Sequence, residues 1–229
     1  MATTAVAKKE TVATPVATGA LPDYMKGQGR GNEDVKASDM QIPRIKLLQK
    51  MSDEVDRHHA NYVKDAKDGD FLNSITRENL GTTLYVISLK FKEEYTVWKD
   101  RTKGGGLLGS YKTNEEAAAA IAAQETPAHF AITQTHSHVL CLLDQETGKI
   151  GKPCIMDFSS SKLTKSRNWN TQINLKGGDR FSSVWKISSV AAMSKSQAQY
   201  MNLEIESMGW ASEENYKLAE QYFEQFSKA

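Results

Sequence analysis

Residues 129–158 read HFAITQTHSHVLCLLDQETGKIGKPCIMDF. A long apolar and β-branched run ends at Asp144, QETGK offers a turn, and GKPCIMDF follows as a second run. Two runs of this kind on either side of a glycine-containing turn predict an antiparallel hairpin. The protein therefore contains a sheet, and the neighbouring segments indicate how it is closed.

Two further runs precede the hairpin. LYVISLKFK places Tyr85, Ile87, Leu89 and Phe91 on one face of a strand and Ser88, Lys90 and Lys92 on the other, which predicts a half-exposed strand. YTVWKDR then leads into the glycine loop TKGGGLLGS. NEEAAAAIAAQ, at residues 114–124, has a capping residue, early acids and many alanines, and predicts a helix.

Three segments follow the hairpin. SSSKLTKSRNWNTQINLKGG, at residues 159–178, has hydroxyl groups suited to cap a helix and a glycine pair suited to end it. RFSSVWKISSV and AQYMNLEIESMGW predict two strands, and SEENYKLAEQYFEQF predicts an amphipathic terminal helix. This order predicts a mainly β fold with helices (α+β), namely an OB-fold-like antiparallel barrel with an inter-strand helix and a C-terminal helix.

The length of 229 residues favours one large domain. Residues 1–40 are rich in Ala, Thr, Val and Lys and then in Gly, without apolar periodicity, and predict a flexible N-terminal arm. Residues 41–229 are then a single OB-fold-like domain. Since no run suits a membrane span or a signal peptide, we expect a cytoplasmic protein.

The net charge of +1 hides a strong segregation of charge along the chain. Residues 159–190 contain six basic residues and one acid, a local charge of +5. From residue 203 to the end, six acids and two lysines give −4. Bulk charge therefore gives no argument for nucleic-acid binding, but the basic segment does.

On the predicted helix, Lys162, Lys165, Trp169, Gln172 and Lys176 share one face. A single strand of nucleic acid needs cations for its phosphates and flat rings for its bases, at about 1 to 3 kcal/mol per stacked base. We therefore expect Trp169 to face solvent as a stacking platform among the lysines. The alternative is a solvated helix face with a half-buried tryptophan.

The strands repeat this combination of basic and aromatic side chains. The predicted nucleic-acid-binding residues are Lys90, Lys92, Trp98, Lys99, Arg101, Lys162, Lys165, Arg167, Trp169, Lys176, Arg180, Lys186 and Tyr200. Aromatic residues in strands are more often core than platform, so we expect about half of the strand rings to be buried. Helix-turn-helix, zinc-finger and basic-region patterns do not occur in the sequence, which favours single strands over duplex.

Catalytic and metal sites are not predicted, and we expect no enzyme activity and no cofactor. RTKGGGLLGS lacks the GK[ST] ending of a phosphate-binding loop. His136 and His138 share one face of a strand without a third ligand at a diagnostic spacing, so a partly exposed pair is favoured over a metal site. Cys141 lies among apolar residues and is expected to be a core thiol, and both it and Cys154 are expected to be free.

The order IPRIKLLQKMSDEV, YTVWKDR running into GGGLLG, DFSSSKLTKSRNWNTQINLKGG, FSSVWKISSV and a last strand ending MGW resembles the single-stranded DNA-binding proteins of tailed bacteriophages. The similarity runs from about Ile42 to the C-terminus and is strongest over residues 157–210. It implies an OB-fold core that coats and protects single-stranded DNA during phage DNA replication and recombination, without catalysis, in the host cell cytoplasm. The implied partners are single-stranded DNA and phage replication or recombination proteins, with a homodimer as one open oligomeric state.

Two alternatives stay open. A recombination annealing protein would form rings or filaments that pair complementary strands. A virion or host-directed protein-interaction module would use the same sheet for protein contacts. Neither alternative involves a membrane. Oligonucleotide binding separates the interaction module from the other two functions, and a strand-annealing assay separates those two from each other.

Overall fold

The computed structural model describes residues 31, 33–34, 41–194 and 196–228. The chain divides into two units, Met1–Gln41 and Ile42–Ala229. Apart from Gly31, Glu33 and Asp34, the arm predicted at residues 1–40 lies outside the described residues. All elements named below belong to the second unit.

The second unit is mainly β, with three α-helices among its described residues. The strands are β1 (Arg44–Leu47), β2 (Phe71–Asn73), β3 (Thr83–Lys99), β4 (Leu107–Tyr111), β5 (Phe130–Leu143), β6 (Ile150–Ser159), β7 (Ser183–Met193) and β8 (Gln199–Trp210). The helices are α1 (Asn114–Ala122), α2 (Lys162–Lys176) and α3 (Glu213–Lys228). The predicted α+β class, the β5–β6 hairpin and the three helices are confirmed.

The eight strands form one sheet in the order β2-β1-β6-β5-β3-β7-β8, with β4 beside β3. β3 is its spine: β5 follows one edge, while β7 and β4 pair with the first and last parts of the other edge. β1 runs parallel to β6, so the prediction of a wholly antiparallel sheet is wrong at this pair. A long connection separates the two strands, and no local pattern specifies their direction.

The sheet curls into a half-barrel whose two ends meet at one side chain. Gln49 follows β1; its Nε2 donates to the Met201 carbonyl at 3.0 Å, and its Oε1 accepts from the Met201 N–H at 2.9 Å. β1 and β8 lie near opposite ends of the strand order, so this amide occupies the place of a neighbouring strand. Gly69 packs against Met201 as well, and a Cβ at Gly69 would lie only 2.8 Å from Met201 Cε.

Both faces of the sheet are buried near its centre. Inside the curl, Trp169 and Ile173 of α2 pack with side chains that include Val86 and Leu140. On the outer face, Ala219 of α3 packs with side chains that include Ile87 and Cys141. Because neighbouring strand residues point to opposite faces, α2 and α3 cover opposite sides of the sheet. The prediction that β3 is half-exposed is therefore wrong.

A β-bulge between Ser88 and Lys90 interrupts the alternation of β3. Ser88 lies opposite Leu140 on the inner face and is fully buried, whereas the sequence predicted a solvent-facing serine beside Lys90. After the bulge Phe91 also points inward, opposite His138. A bulge re-aims the side chains that follow it, and the sequence pattern contains no sign of this one.

Trp169 is fully buried inside the curl, so the predicted solvent-facing platform is wrong. Its ring stacks on His138 with 4.6 Å between the ring centroids and contacts Trp185 edge-on at 6.1 Å. Burial of a tryptophan side chain removes about 150 to 250 Å² of surface from water. The buried position of the ring is therefore lower in free energy than an exposed one. The lysines of α2 remain half-exposed because long side chains reach solvent from the flanks of a packed helix.

We expect Trp169→Ala to lower the free energy of unfolding by about 3 to 5 kcal/mol, because it leaves a large cavity in the core. Trp98→Ala is the matched control: its indole is 46% exposed, and its loss should change stability by about 0.5 kcal/mol or less. Urea unfolding of both variants measures the difference. Equal stability of the two variants would contradict the assignment of Trp169 to the core.

Candidate nucleic-acid interface

The helix α2 has a buried side and a cationic side. Its fifteen residues, KLTKSRNWNTQINLK, include four basic side chains and no acid. Ser166, Trp169 and Ile173 are buried at positions i, i+3 and i+7, which define the inner side. Arg167 is exposed, whereas Lys162, Lys165 and Lys176 are half-buried along the flanks.

A buried polar chain attaches α2 to β5. Ser166 Oγ lies 2.8 Å from His136 Nδ1 and 2.7 Å from His138 Nε2. Arg180 Nη2 lies 3.2 Å from the other ring nitrogen of His138, Nδ1, and also donates to Asn170 Oδ1 on α2. The chain thus joins a helix, a strand and the segment that enters β7.

The chemistry of these groups determines the donor and the acceptor of each hydrogen bond in the buried polar chain. Arg180 can only donate, so His138 Nδ1 accepts, and the His138 proton lies on Nε2 and is donated to Ser166. The Ser166 hydroxyl then donates to His136 Nδ1, which leaves the His136 proton on Nε2, 3.8 Å from Glu93 Oε1. The three hydrogen bonds between Arg180, His138, Ser166 and His136 all form only while both histidines are neutral.

The two histidines are buried, so the prediction of a partly exposed pair is wrong. Burial lowers the pKa of His136, with Glu93 opposing the shift. Burial, Arg180 and His136 together hold the pKa of His138 well below its usual range. Among the described residues, no cluster of three or more His, Cys, Asp or Glu side chains could hold a metal ion.

Arg180 belongs to this internal network and does not lie on the predicted binding surface. Its Nε donates to Ser88 Oγ at 2.8 Å, and its guanidinium lies 5.5 Å from the Phe91 ring centroid. Burial lowers the pKa of Arg180 to about 10. The bulge in β3 supplies the Ser88 acceptor, which explains why the sequence pattern gave no sign of an internal arginine.

Four of the predicted residues lie on the outer face, the side of α3. These are Lys90, Lys92, Lys186 and Tyr200. Lys90 Nζ donates to the Phe226 carbonyl of α3 at 2.9 Å, Lys92 is ion-paired with Glu94, and Lys186 is ion-paired with Glu206. The structure therefore does not bring these residues together with the cations of α2.

Lys99 shares the inner face with α2. It lies opposite Phe130 in the sheet, and its Nζ is 6.0 Å from the Phe130 ring centroid. Gln134 lies four residues after Phe130 in β5, on the same face, and accepts a hydrogen bond from Arg167 Nη2 at 3.2 Å. Arg167 and Lys99 thus lie over the same face of β5, on either side of Gln134, whose Nε2 donates to Glu93 on that face.

The end of β3 and the start of β4 form a hairpin end with exposed apolar and basic side chains. Trp98 is 46% exposed and lies opposite Leu107, which is 53% exposed. Arg101 and Lys103 occupy the short 3-10 helix Arg101–Lys103 at its tip. The sequence predicted Trp98 and Arg101 but missed Lys103 and Leu107, although both flank the glycine run that marks the turn.

Trp210 is a further exposed aromatic side chain that the sequence prediction missed. It is 61% exposed at the end of β8, and Lys176 Nζ lies 4.6 Å from its ring centroid. Lys176 also donates to Ser207 Oγ at 2.7 Å and to the Gly209 carbonyl at 3.0 Å. The position of Trp210 as the last residue of a strand was the signal that could have indicated an exposed ring.

Residues 8–229 match the protein family described as Pam3 phage gp34-like protein. The chain belongs to this family. The resemblance to bacteriophage proteins is therefore confirmed at the level of phage origin. Searches of curated proteins and of solved structures gave no match.

Two further observations concern the described part of this phage protein. No helix there has the length and apolar character that crossing a membrane requires. Cys141 and Cys154 are free and buried, and burial raises the pKa of each thiol to about 12. The prediction of a core thiol at Cys141 is confirmed.

We expect the free energy of unfolding to fall as the pH drops below about 6.5. Above this value histidines are neutral in both states, and the buried chain contributes in full. Below it, the unfolded state binds protons that native His136 and His138 resist, so stability is lost by at most about 1.4 kcal/mol per histidine and pH unit. Urea unfolding at pH 7.5, 6.5 and 5.5 measures this slope.

His136→Gln should reduce the slope because one titrating group is gone, whereas His58→Gln should leave it unchanged because His58 is exposed. A wild-type slope in the His136→Gln protein would show that the buried chain does not control the acid response.

Proposed function

We propose that this phage protein binds single-stranded DNA without sequence specificity, using a sheet of OB-fold type. The observation that carries the proposal is the separation of charge by the sheet. α2, on the inner face, has four basic residues and no acid. α3, on the outer face, has four acids and two lysines. A polyanion is therefore attracted to α2 and repelled from α3.

The pairing of the cations supports the same choice of face. Lysines on or near α3 are neutralised: Lys149 pairs with Glu214 at 3.0 Å, and Lys217 pairs with Glu213 within the helix. Within the part of the chain that the structure describes, Lys165 and Arg101 have no ion-pair partner. Cations free of internal partners are those that can displace counterions from phosphates.

Two exposed indoles provide surfaces on which bases can stack. The Trp98 ring is held by a hydrogen bond from its Nε1 to Thr96 Oγ1 at 3.1 Å. The Trp210 ring is held by the ammonium group of Lys176. The Trp210 ring lies beside a basic side chain on the inner face, the combination that single-strand binding requires, whereas Trp98 alternates with inward-pointing Lys99 and lies on the other face at the end of β3.

A protein-interaction module is the second candidate. Leu107 and Met208, each 53% exposed, lie beside these indoles in the sheet or chain, and exposed apolar side chains also suit protein contacts. Sedimentation with and without oligonucleotide separates the two functions, because a strand-binding protein sediments together with the oligonucleotide and an interaction module sediments without it. A strand-annealing protein would bind oligonucleotides in the same way and would, in addition, accelerate pairing of complementary strands.

We expect the affinity for oligo(dT) to fall steeply with salt, with a log–log slope of about −3.5 if about five phosphates are contacted. Lys165→Gln/Arg167→Gln should make the slope less steep by about 1.4, since two contacts are lost. Lys149→Gln/Lys217→Gln removes the same charge from the α3 side and should leave the slope unchanged. Equal slopes in the two double variants would reject α2 as the binding face.

Fluorescence should locate the contact, because the protein has four tryptophans of which Trp169 and Trp185 are buried. Poly(dT) should quench the wild-type emission. In Trp98→Phe/Trp210→Phe the quenching should disappear, while affinity changes by only a few-fold because phenyl rings still stack. Persistent quenching in this variant would show that the strand does not contact the exposed indoles.

A further inference from the structure

A groove of about 320 Å³ opens where β1 and β6 separate. The two strands pair only at Arg44 with Ile155 and at Ile45 with Met156, and then diverge. The apolar floor of the groove includes Ile45 and Met156. Lys162, the first residue of α2, lines the groove between the strands.

The other charges that line the groove are already paired. Arg44 forms an ion pair with Asp157, and Lys46 Nζ lies 2.8 Å from both carboxylate oxygens of Glu54. Lys162 has neither an ion pair nor a hydrogen bond within residues 41–194 and 196–228. With Glu54 counted against Lys46, the groove has a net charge of about +1, and the half-buried ammonium group of Lys162 supplies this charge.

Burial lowers the pKa of Lys162, which means that its charged form is poorly solvated in this position. No described group compensates this cost, whereas an anion in the groove would. Two donors could bind the same anion: the Ser74 hydroxyl, whose oxygen accepts from the Arg44 N–H at 2.9 Å, and the Arg44 guanidinium, which has donors beyond those used by Asp157.

We propose that this groove is a phosphate-binding site centred on Lys162, and that its occupant is one phosphodiester of the bound single strand. The single negative charge of a phosphodiester matches the single unpaired cation. Lys165, one turn further along α2, continues the positive surface away from the groove. The choice of a strand as the source rests on the proposed function; a free phosphate monoester is the other source of the same chemistry.

The first experiment compares Lys162→Gln with Lys50→Gln, which removes an exposed lysine from the loop after β1. Lys162→Gln should weaken oligo(dT) binding about tenfold and make the salt slope less steep by about 0.7. Lys50→Gln should bind as the wild type does. Thermal melting confirms that both variants are folded.

The second experiment reads the site directly in the wild-type protein. Acetic anhydride labels lysines, and mass spectrometry measures labelling at Lys162 and Lys50. Dimethyl phosphate and oligo(dT) should each slow labelling of Lys162 severalfold without protecting Lys50. Protection by inorganic phosphate, but by neither dimethyl phosphate nor oligo(dT), would support a site for a more highly charged phosphate, such as that of a monoester, and would overturn the assignment to a strand.

Absence of protection by all three probes would overturn the site. Wild-type oligo(dT) binding by Lys162→Gln, together with a failure of oligo(dT) to protect Lys162 in the wild-type protein, would overturn the strand as its occupant. The proposed function fails separately, if the wild-type protein binds no oligonucleotide. In that case protection by dimethyl phosphate or inorganic phosphate still decides whether the groove binds phosphate.

Discussion

Ser166 lies between two buried histidines, and this contact determines how α2 packs on the sheet. The inner side of the helix has few apolar groups: apart from Ser166, its buried residues are Trp169 and Ile173. Hydrophobic packing alone would define the rotation of such a helix weakly. A rotation by one residue, about 100°, would separate the Ser166 hydroxyl from both rings and leave buried polar groups unsatisfied, at about 1 to 3 kcal/mol each.

The position of Ser166 determines which side chains of α2 face solvent. Trp169 and Ile173 follow at i+3 and i+7 and must also point inward, so the indole enters the curl and stacks on His138. Arg167 is then on the outside, and the lysines lie along the flanks. The same helix therefore supplies part of the core and most of the cationic surface, because its two sides are set by one polar contact.

The sequence predicted the elements that local patterns specify. The β5–β6 hairpin, α2 and α3 each have their own periodicity, turn or cap signals, and the segregation of basic and acidic residues was visible along the chain. The parallel pairing of β1 with β6 was not predictable, because it joins segments about a hundred residues apart.

The errors at Trp169, His136 and His138 have a common origin. Strand and helix periodicity show which residues share a face but not what covers that face. The sequence could align Trp169 with three lysines, yet only the curl of the sheet provides a cavity deep enough for an indole. The histidines likewise alternate as an exposed pair would, and only the packing of Ser166 above them makes them internal.

The polar chain and the cationic surface are on the two sides of one helix. The charges on the exposed side belong to lysine and arginine side chains, whereas the polar chain depends on two neutral histidines. Protonation of His136 would add a cation beneath Arg167, but it would also place a proton on Nδ1, where Ser166 must donate. The extra charge would therefore be gained only at the cost of the contact that orients α2. The proposed strand binding relies on cations outside the polar chain, so it needs no charged histidine and leaves the contact that orients α2 intact.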